Sequence, residues 1–181
     1  MNIFYVHPDP TICAQQHVDK HVVKMILEYA QLMSTAHRVL DGTETIGTSN
    51  SGRKAKRWNL TDDRDAVIYK ASHINHPSAK WTRHTSGNYE YLFKLWIELL
   101  REYHYRYGKI HSSMRLAKFL KNPPKNIPSG EFSPPWRAMP EQYKFARTED
   151  DYTLKSYRAY ILNEKSQMLK WKNRETPDWV H

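Results

Sequence analysis

Apolar positions recur with helical spacing over two long stretches of the chain, and the segments between them follow no strand alternation. Residues 2–6 are a short apolar run, read as an extended N-terminal segment that Pro8 and Pro10 interrupt. Asp9 or Thr11 then caps a helical pattern that continues to about Leu40, the longest in the chain. Residues 41–60 lose the periodicity: Gly42, Gly47 and Gly52 stand among Ser and Thr, followed by Arg53, Lys54, Lys56 and Arg57. A mobile basic loop is expected there. Residues 61–72 suit a short helix opened by Thr61 or Asp62, and His76-Pro77 forces a turn or an extended step.

A second amphipathic helix is predicted from about Ser86 to Tyr107. Tyr89, Leu92, Phe93, Trp96, Leu99, Leu100 and Tyr103 fall on one face, and Gly108 is the natural stop. A shorter helix fits Ser112 to Leu120. Six of the ten prolines, at 123, 124, 128, 134, 135 and 140, lie in residues 122–140, which read as a proline-rich connector. A last helix fits Asp150 to Lys172, before a tail containing Pro177, Asp178 and Trp179. With no internal repeat and no strand set large enough for a sheet, the expected architecture is mainly α. It is a compact, single-domain helical fold over 1–181 with long irregular loops.

The first helix carries the most informative pattern. With about 100° per residue, His17, His21, Lys24, Glu28, Gln31 and Thr35 fall within about 40° of one line. Lys20 and Arg38 border that line. Val18, Val22, Met25, Ile26, Tyr29, Leu32, Met33 and Ala36 lie opposite, and Val23, Leu27 and Ala30 widen the apolar arc. Two readings stand. One is a core helix with a single wet face, on which Lys24 and Glu28 are an ordinary i,i+4 pair. The other is a groove in which imidazoles, an ammonium and a carboxylate line up beside a core, a setting suited to acid–base work.

Charge then narrows the partners. Lys and Arg total 28 against 19 Asp and Glu, a formal net charge of +9, and aromatic residues make up 13% of the chain. Cations for phosphates and rings for stacking on bases point towards nucleic acid. The aromatic content argues against disorder, and no apolar run is long enough to span a membrane. No secretory signal is visible, so a cytoplasmic protein is expected. The lone cysteine, Cys13, excludes a disulfide framework and a cysteine-rich zinc site, and its default is a small buried residue. No Walker loop and no GxGxxG occurs. His17 and His21 have the i,i+4 spacing of two metal ligands, with His73, His76, His84 and His111 as further donors, but there is no HExxH.

Several segments in order carry a distant resemblance. They are the start Met1-Asn2-Ile3-Phe4 and the run Asp19-Lys20-His21-Val22-Val23-Lys24-Met25-Ile26-Leu27-Glu28. His76-Pro77 with Trp81 follows, then Tyr91-Leu92-Phe93 through Glu102 to Arg106-Tyr107-Gly108, and the closing Arg174 to Trp179. Spread over most of the length, they resemble the pyrimidine-dimer DNA glycosylase family of the bacteriophage endonuclease V type. The resemblance implies a compact helical fold and a monomer acting on double-stranded DNA in a bacterial or phage-infected cell. It implies a DNA glycosylase for damaged or modified pyrimidines, with an abasic-site lyase step through the same imine.

In that family the nucleophile is the α-amine of the first residue, here Met1. Asn2 is too large a neighbour for the usual removal of methionine. A terminal α-amine is less basic than a lysine side chain, so more of it is neutral near pH 7 and able to attack C1′. The resemblance places the catalytic carboxylate at Glu28. It makes His17, Lys20, Lys24 and Arg38 phosphate holders, and His21, Trp81, Arg83 and Trp179 further DNA contacts. No metal and no cofactor is called for. The competing readings are a non-catalytic nucleic-acid-binding accessory protein and a metal-dependent enzyme built on His17 and His21.

Overall fold

The computed structural model describes residues 1–49 and 51–181. Among them the architecture is mainly α. The helices are α1 (Pro10–Gln15), α2 (Asp19–Asp41), α3 (Arg64–Val67), α4 (Pro77–Thr82), α5 (Ser86–Tyr107), α6 (Ala117–Leu120) and α7 (Tyr152–Glu164). No helix among the described residues is long and apolar enough to cross a membrane.

The two longest helices pack on each other and carry the middle of the core. The indole N–H of Trp96 on α5 donates to the carbonyl of Ile26 on α2 at 2.9 Å. Helix α5 has the predicted limits for local reasons. The Thr85 hydroxyl accepts from the Asn88 N–H, and Gly108 closes the helix at φ 64°, a conformation that costs little only without a Cβ. Buried apolar side chains from Ile3 to Trp171 join in one cluster, so the N-terminal segment and the tail both belong to the core.

The predicted helix to Leu40 is two helices. Asp9 caps α1, as one of the two expected caps, but Val18 is extended and restarts the chain as α2. A distant residue holds this break. Arg106 on α5 donates to the carbonyls of Gln15 at 2.8 Å and His17 at 2.9 Å, so the end of α1 is satisfied outside the helix. The Asp19 carboxylate pairs with the same guanidinium at 2.8 Å.

The basic loop expected at 41–60 is instead a two-stranded antiparallel hairpin. Strands β1 (Thr43–Thr48) and β2 (Lys54–Asn59) pair in register from Thr43 opposite Asn59 to Thr48 opposite Lys54. The β-branched Thr43, Thr45, Ile46 and Thr48 favour a strand, and a Lys56–Glu44 pair at 2.7 Å crosses it. Trp58 is buried and anchors its base.

The helix expected over 61–72 shrinks to the single turn of α3. His76 takes the expected extended step and caps α4, its Nδ1 accepting from the Ser78 N–H at 3.1 Å. Residues 112–120 form a 3-10 turn, Ser112–Leu116, followed by α6. Helix α7 stops at Glu164 rather than Lys172. The chain beyond it turns to the start of α2, where Lys170 accepts from the Asp19 N–H at 2.9 Å and Trp171 donates to the Gln16 carbonyl.

The proline-rich residues 122–140 carry no helix or strand, yet they are tightly held. Gly130 accepts from the Gly87 N–H at 2.9 Å, and Ser133 donates to Asn88 at 2.8 Å. A Cβ at Gly87 would lie 2.5 Å from the Phe132 nitrogen, so the first turn of α5 needs glycine there.

Candidate functional site

Residues 2–6 form neither helix nor strand, and a chain of hydrogen bonds seats them against α2. The Cys13 carbonyl can only accept, so the His17 Nδ1 at 2.6 Å carries the proton. His17 Nε2 then accepts from the Tyr29 hydroxyl at 3.2 Å, and that hydroxyl oxygen accepts from the Phe4 N–H at 3.1 Å. Burial pushes His17 down to about 4, which keeps it neutral in this role. Asn2 completes the seat. Its Nδ2 donates to the Ala138 carbonyl at 3.0 Å, and its Oδ1 accepts from the Tyr157 hydroxyl at 3.0 Å.

With the segment held at these points, the chain's first amine reaches the polar stripe of α2. The Met1 α-amine lies 3.8 Å from Glu28 Oε2, and Lys24 Nζ lies 3.4 Å from Glu28 Oε1. The Met1 and Glu28 side chains are 6% and 14% exposed, whereas Lys24 is 70% exposed. All three line a pocket of about 350 Å³. Lys20 and His21 of α2 border it, as do Ala138, Tyr160 and Lys165. A half-buried amine and carboxylate under a rim of lysines can hold an anionic substrate while a neutral amine attacks an electrophilic carbon.

His21 reaches the pocket as a neutral ring. Burial lowers it to about 3, its plane stacks on Phe4 at 3.9 Å, and its Nδ1 is buried without a partner. It is therefore a neutral wall of the pocket and no cation for a DNA phosphate. His17 is corrected likewise: both its ring nitrogens are engaged inside the core, which removes it as a phosphate holder and as a metal ligand. Among the described residues no group of three or more His, Cys, Asp or Glu is placed to hold a metal ion.

Arg38 is the largest correction. It is fully buried and pairs with Asp65 at 2.7 Å. It also donates to the carbonyls of Trp58, Asp65, Ile68 and Tyr69. These bonds tie the hairpin and α3 to α2, and no phosphate can reach the guanidinium. Trp81 is also fully buried, its indole donating to the Ser133 carbonyl at 3.0 Å. Arg83 is half-buried and donates to the Ile74 carbonyl. Trp179 donates to the Gln16 side chain at 2.9 Å and packs edge-on against Trp171. Neither Arg83 nor Trp179 lines the pocket.

The structure thus gathers Met1, Lys20, His21, Lys24 and Glu28, and it leaves the other expected residues outside. It adds Tyr160 and Lys165, for which sequence spacing offers no signal. His76, one of the expected metal donors, does not line the pocket; burial, and after it the charge of the Met1 amine, lowers its imidazole. Cys13 is buried, and its thiol is pushed up to about 11, chiefly by burial, so it is inert as a nucleophile at neutral pH. Compared with protein-family models, with curated proteins and with solved structures, the chain gives no match.

Proposed function

We propose that the protein is a DNA glycosylase for damaged or modified pyrimidines that works through an imine on the Met1 α-amine, with an abasic-site lyase step to follow. The observation that carries this reading is the Met1 amine held 3.8 Å from the Glu28 carboxylate in a lysine-rimmed pocket. Those two residues are the pair that the family resemblance singles out.

In the proposed reaction the neutral amine attacks C1′ as the bond from C1′ to the base breaks. The base departs with the bonding electrons and is protonated. Glu28 takes one proton from the attached amine. The nitrogen lone pair forms the protonated imine as the C1′–O4′ bond breaks with its electrons on O4′, and Glu28 returns the proton to O4′. The separation of 3.8 Å exceeds a hydrogen bond, and catalytic contacts of this kind commonly tighten only with substrate bound. Removal of a C2′ proton from the imine then expels the 3′ phosphate by β-elimination. Lys20, Lys24 and Lys165 hold the flanking phosphates, and access to C1′ is easiest where a lesion already weakens pairing.

Borohydride trapping on undamaged, UV-irradiated and abasic duplexes tests the proposal. The expected result is a covalent adduct on the damaged and abasic duplexes. It should vanish when a blocked extension precedes Met1, and it should form about 100-fold or more slowly in Glu28→Gln. An adduct that survives blocking would exclude Met1. No adduct on any duplex, with DNA binding intact, would favour a binding protein without chemistry.

A further inference from the structure

A second pocket, of about 310 Å³, adjoins the segment that also contributes to the Met1–Glu28 pocket. Trp136 and Arg137 line it, while Ala138, the next residue, lines the first pocket. Three cations face the second pocket, Arg137, Lys144 and Arg147, and no carboxylate lines it. Lys144 pairs with the exposed Glu141 at 2.7 Å, outside the lining.

Arg137 is held in place before any ligand arrives. Its Nη1 donates to the Phe145 carbonyl and to Ser156 Oγ, and its guanidinium lies over the Tyr152 ring at 4.7 Å from the centroid. Nε and Nη2 have no protein acceptor among the described residues. A guanidinium fixed on one edge and free on the other is suited to a phosphate.

The first turn of the 13-residue helix α7 opens on the same space. Its N-cap, Asp151, makes no side-chain capping bond, so the first N–H groups lack that partner. Thr153, in that turn, lines the pocket although it is only 4% exposed. Its hydroxyl makes no hydrogen bond to a described residue. The remaining wall is flat and apolar: Pro134, Pro135 and the Trp136 ring, which is 40% exposed. Exposed indole beside a cluster of cations offers stacking for a base and charge for its phosphate.

We infer that this pocket binds a nucleoside phosphate, the phosphate between Arg137, Lys144, Arg147 and the start of α7, and the base against Trp136. The ligand is either a free nucleotide or one nucleotide of a strand that continues past the first pocket. The inference needs no chemistry at Met1.

The test follows tryptophan fluorescence and amide shifts of the whole protein titrated with inorganic phosphate, with adenosine, with a nucleoside monophosphate and with a short single-stranded oligonucleotide. The nucleotide should bind more tightly than phosphate or adenosine. Lys144→Ala/Arg147→Ala, two surface changes, should weaken it by about tenfold or more, as should Trp136→Leu. Tighter binding of the oligonucleotide than of the monophosphate assigns the site to a strand, and the reverse assigns it to a free nucleotide. Equal binding by the variants, or a preference for phosphate over the nucleotide, overturns the inference. Trapping at Met1 is a separate readout: the monophosphate should bind the protein with a blocked N-terminus unchanged, so either idea can fail alone.

Discussion

The two ends of helix α2 carry the same kind of sequence signal and meet opposite fates. At the N-terminal end Lys20, Lys24 and Glu28 border a pocket, with Lys24 in solvent and Glu28 beside the Met1 amine. At the C-terminal end His37 and Arg38 are buried, and Asp41 is drawn into a network. Arg64 pairs with Asp41 and Asp62, each at 2.7 Å, and reaches His37 at 2.8 Å. His37 passes on to the Tyr89 hydroxyl. Polar residues on one helix thus serve as a candidate reaction site at one end and as a fastening at the other. What separates the ends is cover: the hairpin base and α3 close over Arg38, and nothing closes over Lys24.

The largest effect of a single substitution is expected at Arg38. Arg38→Ala leaves Asp65 without its cation and four carbonyls without a donor, and should cost about 3–5 kcal/mol in urea unfolding. A loss under about 1 kcal/mol would mean that the guanidinium is not a fastening. Near the C-terminal end of α5, Arg106, together with Arg174 from the tail, holds the buried Glu102 carboxylate. Burial works against the Glu102 charge, but the two guanidiniums keep its carboxyl below the usual range.

Acid should act next, and on both ends of α2. Burial lowers His17, His21 and His37 to about 4, 3 and 4, from 6.5 in an open chain. Between pH 6.5 and about 4 the unfolded chain therefore binds protons that the fold refuses. Stability is full above 6.5 and is lost as the pH falls, each histidine adding a slope of up to about 1.4 kcal/mol per pH unit. The depressed carboxylates Asp41, Asp65 and Glu102 act lower, with stability present above the ordinary carboxylate range and lost as the pH drops through it. Thermal midpoints should fall steadily from pH 7 to 5. A flat profile would show that the imidazoles protonate freely in the fold.

The smallest effect on stability belongs to Lys24. Lys24→Ala breaks only an exposed i,i+4 pair and should change stability by less than about 1 kcal/mol. DNA affinity should nevertheless weaken, and the slope of log affinity against log salt should fall by about 1. An unchanged salt slope would remove Lys24 from the phosphate contacts.

Much of this arrangement is written locally. Thr85 and Gly108 mark the ends of α5, Asp9 opens α1, and the 3, 4 spacing from His21 to Glu28 puts those polar groups on one side of α2, whereas His17 lies before the break and inside the core. Caps, φ preferences and helical period act within a few residues, so a reader of the chain can find them. The hairpin has a local signal as well, in Thr43, Thr45, Ile46 and Thr48, but it was masked by the glycines around them. Other features have no local sign. Val23 and Leu27 sit on the apolar arc of α2 and yet face solvent, and Arg38 borders the polar line and yet is enclosed.

Periodicity states which side chains share a face of α2, and with it that Glu28 and Lys24 are neighbours. It does not state what lies against that face. That was decided by groups far along the chain. Arg106 breaks the first helix, Ala138 and Tyr157 pin Asn2, and Lys165 and Tyr160 close the pocket around Met1. Burial is a property of whatever packs on a surface, so the difference between a lysine in water and an arginine in the core arises only when distant segments meet.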